Sequence, residues 1–486
     1  MKPLVMKSNF VKARTLAWLF GVALTASASA FALLGPPAPW QVSAIGYMLP
    51  GEIGAAMNLG EGFRWNVPQI TYACDKSFID YFGPEGVKAI DEAMDIFNKL
   101  DAPSKMSADL SEYSLDTLRE HPEAALLGIV DLKSTTMTIM MEELGFADPI
   151  QFTYTLRARQ VFGTPPATNY LTVQRNFDPA TLQSSRYVNG VLYGYSIQEF
   201  QLPVQHADAI EEIRVAGDSG NIPVASGFAL SQSSGRNNTF VSGLYRTGLT
   251  RDDAAAIRYL YHPHNYAVDT LLPGIALGGS LSPFSPFLGT NILATTNTII
   301  GAGGTNVVAT GLRGGRNKLK FRKASYDPIL GNYFAPRTSQ FTDVVVSTNR
   351  TLVVQPVIRT IVQPDIVFSA GDLGLFAGID PFIYTRTVTA GWINNDALNG
   401  IDPVNNDVGP GTIPPQVQII FNTIFPAFYN SNGGLSDFPN EETGFSFGVW
   451  GSFDGSTNAP VIYPKARNLS INQLRNIVLG RGTLPP

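Results

Sequence analysis

The sequence predicts an α+β region followed by an all-β, sandwich-like region, with an export signal ahead of both. Three observations carry that prediction. Apolar residues recur at three- and four-residue spacing almost only before residue 266; beyond it come short alternating runs rich in Gly, Pro, Asn, Thr and Val; and the first residues are basic, without acid, ahead of an apolar run. The chain has 486 residues, 44% of them hydrophobic, with 46 Gly and 34 Pro, a globular composition long enough for more than one core. The expected divisions are a signal at 1–32, an α+β domain at 33–265 and a β-rich domain at 266–486.

The signal reading rests on Lys2, Lys7, Lys12 and Arg14, the apolar run 16–24, and small-residue sites at Ala28-Ser29-Ala30 or Ala30-Phe31-Ala32. Cleavage lowers the basic count from 34 to 30 against 39 acidic residues, a net charge of −9. No later apolar run approaches the ~18 residues of a membrane span. The expected product is therefore secreted, to the medium, the cell surface or a periplasm, without a transmembrane segment after cleavage.

The elements follow in order. Residues 86–100 place Val87, Ile90, Ala93, Met94, Phe97 and Leu100 on one helical face. Residues 132–144 carry the stripe Met137, Met140, Met141 and Leu144, stopped by Gly145. Asn189-Gly190 between apolar residues predicts a hairpin over 187–192. Residues 249–261 predict a helix capped by Thr250, with Asp252 and Asp253 in its first turn and Ile257, Leu260 and Tyr261 buried. Beyond 266, Lys318 to Arg322 alternates basic and apolar residues, and Pro356 interrupts a β-branched run over 351–362, which predicts an edge strand or a break.

The stretch Leu249-Thr250-Arg251-Asp252-Asp253 through Ile257, Leu260 and Tyr261 resembles the segment that closes the catalytic domain of matrixin-type metzincin proteases. Arg64-Trp65-Asn66, the strand at Ile70-Thr71-Tyr72 and the following helix resemble the opening of the same domain. The resemblance implies a zincin-like fold over roughly residues 63–262, and a zinc helix of the form H-E-x-x-H-x-x-G-x-x-H. Aligned on Gly145, this chain has Thr138 and Glu142 in place of the helical histidines, Ile139 in place of the general base and Asp148 in place of the third ligand. The zinc motif is absent, and hydrolysis cannot be carried over to these positions. The chain also resembles exported bacterial proteins sharing Phe63-Arg64-Trp65-Asn66-Val67-Pro68, Asp131-Leu132-Lys133-Ser134, Arg175-Asn176-Phe177-Asp178-Pro179 and Thr247 to Asp253. That second resemblance implies export and a common scaffold, and brings no activity.

Composition narrows the functional classes. With 39 acidic and 34 basic residues there is no basic excess to neutralise phosphates, so nucleic acid is not an expected partner. The single cysteine, Cys74, excludes an intramolecular disulfide, zinc ribbons and iron–sulfur clusters, and reads as a small core hydrophobe on a strand. Glu142, Glu143 and Asp148 offer oxygen ligands for calcium or magnesium, or, with a remote histidine such as His206, a divergent metal site; adjacent carboxylates at a helix end are otherwise simply solvated. His262-Pro263-His264 is a loop pair that either shares an ion or does not. Asp396, Asp402 and Asp407 lie in an Asn/Asp-rich stretch open to calcium or to an ordinary loop role. Zinc is not the expected cofactor. Gly217-Asp218-Ser219-Gly220 matches a serine-protease nucleophile loop only superficially and reads as a turn. The basic stretch 313–323 either meets an acidic polysaccharide or forms a solvated face, and Trp392, Trp450, Tyr429 and Phe453 are sugar-stacking platforms or core anchors. The reading at this level is a noncatalytic secreted component that binds an extracellular protein or polysaccharide or has a surface-structural role; the alternative is a divergent metallohydrolase.

Overall fold

The computed structural model describes residues 30–42, 44–45, 47, 53–199, 209–215, 243–272, 275–277, 298–300, 306–324, 336–346, 351–372, 386–389, 391–394, 408–423, 427–428, 445–446 and 449–464. These residues form mostly β-strands with four α-helices: α1 (Lys76–Lys99), α2 (Pro122–Leu126), α3 (Leu132–Glu143) and α4 (Arg251–Tyr261). Among them no helix is long and apolar enough to cross a membrane.

Helix α1 starts ten residues before the predicted Gly86, because Asp75 caps it by accepting from the Phe78 N–H at 3.0 Å. It breaks at Gly83, where φ is 64°, and restarts at Pro84, a residue suited to a first helical turn. The predicted helix is the second of these two pieces. Its apolar face, from Phe78 to Phe97, packs on a five-stranded sheet.

That sheet runs Lys320–Lys323, Gln69–Cys74, Ile366–Asp372, Val417–Thr423, Arg386–Thr389. The first four strands are parallel and the last is antiparallel. Gln69–Cys74 is buried at five consecutive positions, as a strand covered on both faces requires. Two smaller parallel pairs repeat the relationship, Phe63–Arg64 with Gly411–Thr412 and Ile129–Asp131 with Val449–Ser452.

The expected division at residue 266 is thus not a division of the core. Gln69–Cys74 has strands from beyond 266 on both sides, and one apolar cluster extends from Phe31 to Tyr463. The physical reason is that a lone parallel strand leaves both backbone edges unpaired, and here only the second half of the chain supplies partners. The change of texture near 266 marks where helices stop, not where a core closes.

A second five-stranded sheet, wholly antiparallel, runs Tyr266–Thr270, Thr310–Gly314, Arg337–Val346, Leu352–Ile361, Ile275–Leu277. Leu352–Ile361 is an inner strand of that sheet, not the edge that Pro356 predicted. Its register with Ile275–Leu277 begins at Val357, so the proline stands just outside that pairing. The strand Phe31–Gly35 pairs with Ala55–Met57, Asn176–Phe177 and Phe146–Ala147. Cleavage after Ala30 leaves this strand whole, whereas cleavage after Ala32 removes its first two residues.

The Asn-Gly hairpin forms as expected. Asn189 and Gly190 both have positive φ, 44° and 85°, and join Tyr187–Val188 to Val191–Glu199 through a turn whose twist matches the strands.

Candidate functional site

The positions expected from the sequence for a zinc helix, Thr138, Ile139 and Glu142, fall on α3. Asp131 caps this helix, accepting from the Ser134 N–H at 2.9 Å and from its hydroxyl at 2.5 Å. Burial raises the Asp131 carboxyl above the usual carboxylate range, opposed by these Ser134 hydrogen bonds. Nearly every residue of α3 is buried, which fits a helix held inside the core rather than along a surface. At its C-terminal end Gly145 has φ +93°, and a Cβ there would stand 2.0 Å from the Phe63 carbonyl oxygen, so both backbone conformation and space demand glycine.

The expected replacement residues divide into two groups. Ile139 is fully buried and packs in the core, and the Thr138 hydroxyl donates to the Ser134 carbonyl at 3.2 Å. Neither fits a zinc ion or an activated water: isoleucine has no lone pair, and the threonine oxygen is turned back to its own helix. Glu142 and Asp148 do come together. Both line a small cleft with Leu34, Ile53, Gly54, Ala147, Gln151 and Phe152. Asp148 accepts from the Ile150 and Gln151 amides at 2.9 and 3.4 Å, which holds the turn after α3. Glu142, Glu143 and Asp148 are all buried, so the solvated reading of this acidic group is corrected.

Charge behind the cleft comes from α4 and its neighbours. The Arg246 guanidinium is pulled down to about 10 by burial, against the opposing fields of Asp253, Asp148 and Asp116. Burial raises the Tyr193 phenol, and Asp148 and Asp252 add to that. Asp253 closes a capping box with Thr250, and Asp252 accepts from the Ala30 and Asn189 amides at 2.9 and 2.7 Å. The sequence assigned these two aspartates to the helix dipole; the structure adds that both are buried and that Asp252 ties together three distant segments. Among the described residues, no three His, Cys, Asp or Glu side chains converge as a metal site.

The segment Arg64-Trp65-Asn66, singled out only by resemblance, lies at the back of this region. The Trp65 indole N–H donates to the Glu143 carbonyl at 2.7 Å, and the Tyr261 hydroxyl donates to the Leu144 carbonyl at 3.0 Å. Carbonyls at the end of α3 that the helix cannot satisfy are thereby taken. Arg64 donates to the Leu260, Asn265 and Arg313 carbonyls at 3.0, 2.8 and 2.8 Å. No composition or periodicity signal marks these roles.

Other candidates resolve as structure. Trp450 is fully buried against Phe82 and Phe421, Phe453 is buried beside His121 and Tyr245, and Trp392 meets Phe63 edge-on at 5.3 Å; the first two are core anchors rather than platforms. In the basic stretch, Arg313 and Arg316 both pair with Asp343 at 3.0 Å, Lys318 donates to the Asn98 and Leu100 carbonyls at the end of α1, and Lys323 pairs with Asp91 at 2.7 Å. The stretch therefore divides: Arg313, Arg316 and Lys318 turn to internal partners, whereas Lys320, Arg322 and Lys323 stand exposed around the buried Phe321 as a solvated face. The His262 Nδ1 accepts from the His264 amide at 3.1 Å. His121 is the cap of α2, its Nδ1 accepting from the Ala124 amide at 3.2 Å. His206, Asp396, Asp402, Asp407, Tyr429 and the 217–220 turn lie outside the described residues.

No protein-family model, curated protein or solved structure matches this chain. The site therefore has to be read on its own chemistry.

Proposed function

We propose that the chain is an exported, noncatalytic binding or surface-structural protein, built on a zincin-like plan from which the zinc chemistry has been lost. One observation carries the reading: Ile139 is sealed in the core and the Thr138 hydroxyl is spent on the Ser134 carbonyl, where a hydrolase of that plan needs a base and a ligand. Helix α3 then acts as an internal beam, and contact with an extracellular protein or polysaccharide falls to the Glu142–Asp148 cleft or to loops of the β-rich half. Calcium at Asp396, Asp402 and Asp407 is the cation compatible with this reading, as a loop stabiliser.

The second reading is a divergent metallohydrolase using Glu142, Asp148 and His206. It is favoured by the single fact that Glu142 and Asp148 line one cleft. Incubating the mature chain with denatured protein and mixed peptides, with and without added zinc, separates the two. The proposal expects no cleavage in either condition. Zinc-dependent cleavage that a chelator stops and Glu142→Gln abolishes would establish the second reading instead.

A further inference from the structure

The antiparallel sheet of Tyr266–Thr270, Thr310–Gly314, Arg337–Val346, Leu352–Ile361 and Ile275–Leu277 carries all of its charge on one face. Side chains alternate between its faces, and the register assigns each position to one of them. All the charged residues of the five strands, Asp269, Arg313, Arg337, Asp343 and Arg359, fall on the inner face with Val345 and Val357. The outer face carries none. Its larger residues are Tyr266, Leu312, Val344, Leu352 and Val354, with Val362 just beyond, between 36% and 63% exposed. Thr338, Gln340, Thr342, Pro356, Ile358 and Thr360 also lie on it, none of them charged. An antiparallel sheet with one solvated face ordinarily turns polar residues outward, whereas this outer face is uncharged and its larger apolar residues are exposed.

We infer that this outer face is the contact surface for a second copy of the same chain, packed sheet against sheet. Two features favour that occupant. Five strands at about 4.8 Å spacing, the longest ten residues at about 3.4 Å each, offer a face on the order of 500–800 Å². That approaches the ~800 Å² per partner of a stable interface. Charge supplies the second argument. A two-fold contact brings a surface against its own image, so a neutral face meets no like charge, whereas elsewhere the chain is net negative at −5. The same acidity disfavours an anionic lipid surface as the occupant. In the pairing, Val344 stands opposite Val354, and Val346 stands opposite both Leu352 and Leu312, so the apolar residues form one contiguous patch.

Sedimentation velocity on the purified full chain tests the inference. A dimer is expected at micromolar concentration. Val344→Glu with Val354→Glu, and separately Leu352→Lys, should weaken association by about a hundredfold or more, because each places like charges across the contact. Phe162→Glu, at an exposed position on the separate Thr155–Phe162 strand, should leave the dimer intact. Circular dichroism identical to wild type certifies that each variant is folded, and the two independent lesions guard against one failing to fold. A wild-type chain that stays monomeric would overturn the inference. So would folded face variants that dimerise as wild type does, or a monomer that floats with anionic vesicles and loses that property in the Val344→Glu, Val354→Glu variant.

Discussion

Arg64 reaches across the chain to Asp269, Nη2 to Oδ2 3.1 Å, with both side chains almost completely buried. The two residues lie on opposite sides of residue 266, and the same guanidinium also holds the end of α4 through the Leu260 carbonyl. Opening strand, closing helix and the first strand of the antiparallel sheet are thus fastened at one charged group. Removing one partner of such a pair leaves an uncompensated buried charge.

Arg64→Ala should therefore cost about 3–5 kcal/mol of stability. In a double-mutant cycle with Asp269→Asn, a coupling of about 0.5–3 kcal/mol is expected from denaturant unfolding. Both halves should unfold in one transition, followed by intrinsic fluorescence and by far-ultraviolet dichroism. Two separated transitions in the wild-type chain would argue for independent domains.

Asp343 gives a pH dependence of defined sign. Burial alone would raise its carboxyl, but the charge and hydrogen bonds of Arg313, then Arg316 and Gln355, hold it below its usual value of 3.8. A folded-state pKa below the unfolded one contributes stability that is present above the unfolded value and lost as pH falls through the folded value. Wild type should lose urea stability as pH drops below about 4, and Asp343→Asn, already weaker at neutral pH, should lose less over that interval. Equal acid sensitivity in both proteins would remove Asp343 from the account.

Much of this was legible locally. Thr250 as cap, the Met137–Leu144 stripe, the Gly145 stop and the Asn189-Gly190 turn are decided by neighbours a few residues away, and the structure repeats them. The pairing of Gln69–Cys74 with Lys320–Lys323 and Ile366–Asp372 is decided across roughly 250 to 300 residues of sequence, where periodicity is silent. The site divides likewise. That Ile139 cannot be a base is plain from residue type, but the meeting of Glu142 with Asp148 in one cleft, and the loss of Arg313 and Arg316 to Asp343, depend on tertiary contacts.

Cys74, the single thiol, was expected to be a core hydrophobe and is buried on the strand Gln69–Cys74. Burial pushes its pKa up to about 12, with Lys323 opposing, so almost no thiolate exists near neutrality. A thiol reagent at pH 8 should leave the native chain unmodified and react completely in denaturant, at a rate that follows global unfolding. Rapid native-state labelling would contradict this placement.

Metal content tests the proposed loss of zinc chemistry most directly. The mature chain, purified without a histidine tag or added metal, should contain no stoichiometric zinc or manganese while remaining folded, with calcium the one ion compatible with a structural role. One zinc per chain, lost in the Glu142→Ala, Asp148→Ala double variant without loss of fold, would contradict the account and make α3 part of a working metal centre.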